Sequence, residues 1–569
     1  MGQKKRPPTG PTTQSSKTHA PDTDGGLSRR DFLKSTTAGL VAGAVASADM
    51  AGTALAGDGD APGQGKGAPP GRLILLKGGI VLTMDPTIGD FEKADVLIEG
   101  SKIKAVAPNI SAAAPVIDVT GMIVMPGFID THHHQYETIQ RSIIPDGVLG
   151  NFAGVNWPQE NYVSVVQNIW TTGRIPGPTP ADPPIWDLGR SPYDPEDCYI
   201  SELVASLTQI DQGITTGVDT SQSSHTPEHT DAMIQGLIDS GRRSLYVYTG
   251  GRADDNRGGY EYPGTIGNTT RGLGRLRAQW FNTEDQLVTL GFSGGAELFG
   301  LARSFGAVIV NHNVRDPAFV TGNVNAVDAL GNPILGPDLE LIHCVRWTEE
   351  AWQIAADTGI HASIAVLIEM QMRHGMPPLQ LALDHGILPS LSSDVDTNMT
   401  ADMFSLMRGA FCLQRALLNE RYLAMDPNLP PLLTCHQVLE MATIAGAAAA
   451  RLDHKVGTLT PGKEADIIVL DARALSCVPM NNAPGTVVTR MDTSNVKHVF
   501  IAGQLRKWDG KLVGVNVDDL RHKIEASRDA VLARIQSVPI PIDGLNSAPG
   551  YTPSFLGSCC IAEEYGARP

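Results

Sequence analysis

Basic charge is in short supply along these 569 residues. Sixty-one acidic side chains stand against 44 Lys and Arg, a net charge of −17. No basic face is left to neutralise a phosphate backbone, which argues against nucleic-acid binding. Cysteine is sparse too. Seven of them, an odd number scattered along the chain, do not make a disulfide framework. No apolar run is long enough for a permanent bilayer span. Glycine and proline, by contrast, are plentiful at 60 and 39 without any three-residue period, and hydrophobic residues at 42% against charged ones at 18% are ordinary globular proportions. Fibre, membrane protein and disulfide-stapled mini-domain fall away, and a loop-rich globular enzyme is what the composition suits.

Ser28-Arg29-Arg30-Asp31-Phe32-Leu33-Lys34, followed by an Ala/Gly-rich stretch to Ala48, reads as a twin-arginine export signal. Ala54-Leu55-Ala56 supplies a cleavage site, and no Cys precedes Cys198, so a lipoprotein anchor is excluded. Losing residues 1–56 removes seven basic and four acidic residues and takes the net charge from −17 to −20. The mature chain is expected in the periplasm or medium, with no stable membrane anchor. Twin-arginine cargo crosses already folded, which suits a chain that must load a cofactor first.

Residues 57–71 read as a linker. From 72 to 125 short alternating runs bounded by Gly, Pro, Asn or Asp predict a small antiparallel sheet, and a matching set recurs from 455 to 520. Neither half can bury a core alone, so one small β-sandwich domain built from both chain ends is expected, split by an insertion over 126–454. That insertion alternates strands and helices. Its candidate strands are Ile123–Ile129, Gly217–Thr220, Ser244–Thr249, Gln286–Leu290, Ala307–Asn311, Glu340–Ile342, His361–Ala365 and Leu388–Ser392. Eight strands alternating with amphipathic helices such as Thr348–Thr358 and Asp402–Asn419 predict an α/β fold, a (β/α)8 TIM barrel, whose chemistry belongs at the carboxyl ends of its strands. The oversized connection at 142–200, with Trp157, Trp170, Trp186 and a Pro-rich run, predicts an active-site lid. Residues 521–569 read as a terminal helix and tail.

Asp130-Thr131-His132-His133-His134 directly follows the first barrel strand. His132 and His134, two residues apart, share a face and can share a metal, whereas His133 points away. His312 ends strand five, His343 ends strand six and Asp394 ends strand eight. Four strand ends on the face where barrels keep their sites are not a scatter of core histidines; they predict a metal centre.

These segments carry a resemblance. MPGFIDTHHH (125–134), HCVRWTEE (343–350), SSDVDTNMTADMF (392–404), LEMATIAGAAAARL (439–452) and VGTLTPGKEADIIVLD (456–471) resemble signature segments of the amidohydrolase superfamily. The likeness is to its deaminase and chlorohydrolase branch, which includes cytosine, guanine and adenosine-type deaminases and triazine hydrolases, and it covers about residues 72–515. It implies a metal-dependent hydrolase of carbon–nitrogen bonds other than peptide bonds, in an amide, lactam or cyclic amidine. His132, His134, His312 and Asp394 are then the implied ligands of one divalent metal, Zn(II) or Fe(II). His343 is implied to hydrogen-bond the metal-bound hydroxide, and Asp394 to take its proton and pass it to the leaving nitrogen. Binuclear members bridge two metals with a carboxylated barrel lysine. No lysine occurs between Lys104 and Lys455, which points to a single metal.

One position departs from that pattern. Deaminases of the branch carry H-x-x-E on strand five, whereas this chain has His312-Asn313-Val314-Arg315. Arginine stays charged and has no acceptor, so it cannot serve as a base. Glu369, after strand seven, is one candidate for the shuttle; a reaction without a shuttle is the alternative. Arg315 is a candidate to clamp a substrate carboxylate, and Glu369, His374 and His225 are candidates for further substrate contacts. The departure also leaves open a lyase, decarboxylase or cyclase on the same scaffold, or a metal-binding protein without catalysis. Gly291-Phe292-Ser293-Gly294-Gly295 matches a serine-hydrolase elbow but leaves the histidines unexplained. The expected partner is a small-molecule substrate, with self-association left open.

Overall fold

The computed structural model describes residues 71–145, 147–150, 162–177, 182–250 and 265–538. The expected export signal, nearly all of the linker and the tail beyond 538 lie outside them. The amino-terminal end forms β1 (Leu73–Val81), β2 (Phe91–Glu99), β3 (Lys102–Ala107), β4 (Val116–Asp118) and β5 (Met122–Pro126). Phe128–His133 is β6. The sequence predicts a single strand from Ile123 to Ile129, but Gly127 cuts it in two: a Cβ there would lie 2.1 Å from the Thr215 side chain. That close approach ends one sheet and begins the next within one residue.

A two-residue ribbon, β7 (Arg174–Ile175) with β8 (Trp186–Asp187), follows. The barrel continues through β9 (Ile214–Ser221), β10 (Arg243–Tyr248), β11 (Val288–Phe292), β12 (Val308–Asn313), β13 (Leu339–His343), β14 (His361–Ile364) and β15 (Ser390–Leu391). All neighbours pair in parallel, in the order β15-β14-β13-β12-β11-β10-β9-β6. Ile129, Val218, Leu245, Val247, Val310 and Ile342 pack into one buried apolar cluster, as expected of a filled barrel. The helices begin where their capping residues stand: Thr348 Oγ1 accepts from the Ala351 amide and Asp402 Oδ1 from the Ser405 amide. Thr434 and Gln437 form the reciprocal capping box that the sequence predicts.

The carboxyl-terminal half adds β16 (Ile467–Asp471), β17 (Val496–Ile501), β18 (Gln504–Trp508) and β19 (Lys511–Leu512). Together with β1–β5 they make one nine-stranded sheet, joined where β16 runs antiparallel to β5. The sheet is mixed rather than wholly antiparallel, because β4 and β5 both pair with β1 in parallel. Period-2 alternation divides its residues between two cores. Val124, Ile467, Val469 and Phe500 pack among the sheet's own residues, whereas Met125, Ile468, Leu470 and Ile501 share a core with Phe128 and Ile214 of the barrel.

The described parts of the connection after β6 are packed, while residues 146, 151–161 (Trp157 among them) and 178–181 of the expected lid lie outside the described residues. Gln135–Gln140 forms a fully buried 3-10 turn, and Val163–Thr172 a π-helix that buries Val165, Val166, Ile169 and Trp170. Backbone bonds from Ser142 to Asp396 and from Leu149 to Met372 tie this connection to the loops after strands eight and seven. The long connection ends earlier than the sequence suggests, because Pro195 already opens the first long barrel helix, Pro195–Asp211. The terminal helix, Val517–Gln536, docks on that helix through Arg534 and Ser527, both bonded to Asp197.

Candidate metal centre

The barrel closes at its site. Asp394 forms an isolated parallel bridge with His133, its amide donates to the His132 carbonyl at 2.9 Å, and its own carbonyl accepts from the His134 amide at 2.7 Å. The seam between the last and first strands therefore aligns the Asp394 carboxylate with the two imidazoles. Asp394 and His343 both hold left-handed backbone, φ 63° and 75°, a conformation costly for residues with a Cβ and typical of strained functional positions. Along β6 the register against β9 slips between Asp130 and His133. Asp130 and His133 both meet Gln209 of the helix outside, whereas Thr131 meets Ser363 and Ser390 and His132 meets Asp394. Such a bulge re-aims side chains.

Thr220, at the end of β9, orients both ligand candidates of strand one. Its carbonyl accepts from His134 Nδ1 at 2.9 Å, and its Oγ1 lies 2.8 Å from His132 Nδ1. The Nε2 atoms are thereby turned inward. His134 Nε2 is 3.2 Å from His312 Nε2 and 3.7 Å from Asp394 Oδ1, and His132 Nε2 is 3.0 Å from that same oxygen. Two sets of donor atoms, from His132, His134 and His312 and from His132, His343 and Asp394, each lie within 4.8 Å of one another.

Electrostatics favour a cation here over protons. Burial pushes His134 down to about 3 and, with His132 and His134 beside it, holds His312 well below an ordinary histidine. Burial lowers His132 as well, against the pull of Asp394. Burial alone would raise Asp394, but His343, His132 and His134 reverse this and hold its carboxyl well below the carboxylate range. Neutral imidazoles and an ionised carboxylate are the protonation states that ligate metals. Four donors about 2 Å from a tetrahedral cation lie about 3.3 Å apart, close to the separations seen, so the residues present fit a divalent metal.

Residues 340–506 match the Amidohydrolase family. The chain is 25% identical over 482 residues to a 5'-deoxyadenosine deaminase of Methanosarcina mazei, covering 82% of this chain and 99% of that one. It is 26% identical over 477 residues to a 5-methylthioadenosine/S-adenosylhomocysteine deaminase of Syntrophobacter fumaroxidans, covering 79% and 96%. An adenosine deaminase of Xanthomonas campestris with bound zinc shares the fold at a TM-score of 0.62 and 20% identity, over 83% of this chain and all of that one. A zinc-complexed atrazine chlorohydrolase of Arthrobacter aurescens does so at 0.63 and 21%, over 80% and 100%. Along most of its length the chain is similar to these deaminases, and over residues 340–506 to the Amidohydrolase family.

Around the centre several residues are placed differently from expectation. Glu369, expected as a proton shuttle or substrate contact, is fully buried. Its Oε1 lies 3.1 Å from His343 Nδ1 and accepts the Ala365 amide at 2.9 Å, so that oxygen holds His343 in place. Glu369 and Asp394 together raise His343 against its burial. Arg315, expected to clamp a substrate carboxylate, donates to the carbonyls of Arg373 and His374 and so fastens the loop after β14. His374 stacks on His343 with ring centroids 4.8 Å apart. His225 is buried after β9, its ring 5.2 Å from His229, and His229 is bonded to Thr226 and the Tyr193 carbonyl. Ser293 donates to Asn311 Oδ1 rather than to a histidine, which removes the serine-hydrolase alternative. Sequence reasoning misses Thr220, whose role lies partly in its carbonyl, and Glu137, whose carboxylate accepts from Tyr136 at 2.9 Å and Tyr162 at 2.6 Å. An acid three residues past the H-x-H was the one signal available for Glu137.

Proposed function

We propose that this metal-dependent amidohydrolase releases ammonia from an adenine-type cyclic amidine, with one zinc ion held by His132, His134, His312 and Asp394. The observation that carries this reading is the convergence of the His132 and His134 Nε2 atoms on one Asp394 oxygen at the closing seam, with His312 Nε2 3.2 Å from that of His134. The substrate class rests on the curated relatives, which are deaminases of adenine-containing compounds by name. A zinc ion in such a site lowers the pKa of water towards about 7 and supplies a nucleophile at neutral pH.

The chain's own residues do the rest. Asp394 Oδ1 faces His132 and His134, while Oδ2 lies 3.8 Å from His343 Nε2. Oδ2 takes the proton of the attacking water and returns it to the departing nitrogen. His343, held by Glu369, orients that water. The sum is water plus amidine giving a carbonyl compound and ammonia. The test is ammonia release from 5'-deoxyadenosine and 5-methylthioadenosine, alongside metal analysis. About one zinc per chain, with activity lost to a chelator and restored by zinc, is expected; a fully loaded protein that turns over neither compound contradicts the adenine-type reading.

Arg315 in place of a strand-five carboxylate favours a second reading, an amide or lactam opening that needs no acid there; ammonia-free ring opening of a lactam would favour it. We also propose twin-arginine export, supported by the Arg29-Arg30 pair. Arg29→Lys with Arg30→Lys should leave the product in the cytoplasmic fraction, and unchanged export would refute the route.

A further inference from the structure

Resting on that reading, we infer that Glu137 is the carboxyl that meets the substrate, taking the place of the acid absent from strand five. Of the acids near the seam, two are engaged at the centre itself: Asp394 among the imidazoles, Glu369 on His343 and the Ala365 amide. Asp396 is a further carboxylate nearby, but Arg141 at 2.7 Å and His133 at 3.6 Å occupy it. The end of strand five offers Asn313, whose Oδ1 accepts from Trp347 Nε1, Arg315, turned onto the carbonyls of 373 and 374, and Asp316, whose Oδ1 caps the next helix at the Phe319 amide.

Like Glu137 Oε2, Glu369 Oε2 lacks a partner among the described residues, but that carboxyl is tied to His343, whereas the bonds of the Glu137 carboxyl among the described residues come from two tyrosines alone. Glu137 sits one turn beyond His134 in the buried 3-10 segment, and its amide donates to the His134 carbonyl. Tyr136, whose ring lies 5.9 Å from that of His134, donates to Glu137 Oε1, and so does Tyr162. Both hydroxyls converge on the same oxygen. Oε2 is buried and has no hydrogen-bond partner among the described residues. Leaving a buried carboxyl oxygen unmatched is costly, and here the cost falls beside a metal centre in a clamp that holds the group in one orientation. A hydrogen bond from Glu137 Oε2 to the ring nitrogen next to the reacting carbon matches that oxygen when substrate binds, and it supplies the polar contact that an acid on strand five would have made. Tyr162 opens the π-helical segment, so the long connection after β6 contributes by fixing this carboxyl.

The test compares zinc-loaded wild type with Glu137→Gln, Glu137→Ala and Tyr162→Phe in kcat and KM for 5'-deoxyadenosine, with zinc content and melting temperature measured in parallel. Glu137→Ala is expected to lose at least about 100-fold in kcat/KM and Tyr162→Phe about ten-fold, at full zinc occupancy. Glu137→Gln, which keeps a hydrogen-bonding group in place, should fall between wild type and alanine. An active wild type with Glu137→Gln and Tyr162→Phe both folded, zinc-loaded and within threefold of it in kcat/KM would make Glu137 a structural acid and overturn the assignment. A wild type silent towards 5'-deoxyadenosine would overturn the adenine-type reading itself, and this assignment with it.

Discussion

In the proposed mechanism the Asp394 carboxylate divides two tasks between its oxygens. Oδ1 lies within 3.0 Å of His132 Nε2 and 3.7 Å of His134 Nε2, whereas Oδ2 faces His343. Asp394→Asn keeps an oxygen for the first task and removes the base needed for the second. Turnover should therefore fall on the order of 10^3-fold while the three imidazoles retain much of the metal; kcat and metal analysis of the same sample check this, and a fully active variant would remove Asp394 from the proton path. Glu369→Gln keeps an acceptor for His343 Nδ1 and the Ala365 amide but loses the charge. It should cost about 10–100-fold in kcat with metal retained. His132, His134, His312, His343 and Asp394 were legible because each ends a strand and barrels gather strand ends on one face. What Glu369 and Arg315 touch was not legible, since it depends on how the loop after strand seven folds back.

Among the elements, the border between the two sheets shows how little separates a correct strand from a misplaced one. Met122 to His133 is apolar and extended almost throughout, so periodicity alone cannot say where it changes sheet. The division needs Thr215, nearly ninety residues on, whose side chain leaves no room for a Cβ at Gly127. Gly127→Ala should accordingly destabilise the fold by about 3 kcal/mol in chemical denaturation, and Thr215→Gly should recover a measurable part of it. A tolerated alanine at 127 would mean that the two strands can shift apart. The bulge in β6 was equally invisible, because it shows only against β9. The connection after β6 was readable as unusual from its tryptophans and length. Its ties to Asp396 and Met372 depend on partners hundreds of residues away, whereas the clamp on Glu137 comes from Tyr136 and Tyr162 close by in sequence.

At the scale of the whole molecule, stability couples to solution conditions at His498 and at the metal centre, among other described residues. His498 in β17 is buried, stacks on Trp508 at 4.2 Å and accepts the Asp509 amide on Nδ1. Burial brings its pKa down to about 4. The folded state thus binds a proton less readily than the unfolded chain, so this group's contribution is complete above about pH 6.5 and lost as pH falls from there towards 4, by about 3 kcal/mol. His498→Gln should flatten that part of the acid limb in denaturation measured at pH 7 and 4.5. The second coupling is at the metal centre, where strand one meets strand eight. Without a cation the inward imidazole nitrogens and the Asp394 carboxylate face one another across the barrel's closing seam, and β15 contributes only two residues to hold it. A metal bound to the folded state at a thousandfold its dissociation constant adds about 4 kcal/mol. Chelation should therefore lower the melting temperature by several degrees, and zinc should restore it. His312→Ala should abolish most of that response while leaving the apo melting temperature within a degree or two of the apo wild type, because His312 lies on strand five, away from the seam. An equal response in the variant would place the stabilising cation elsewhere.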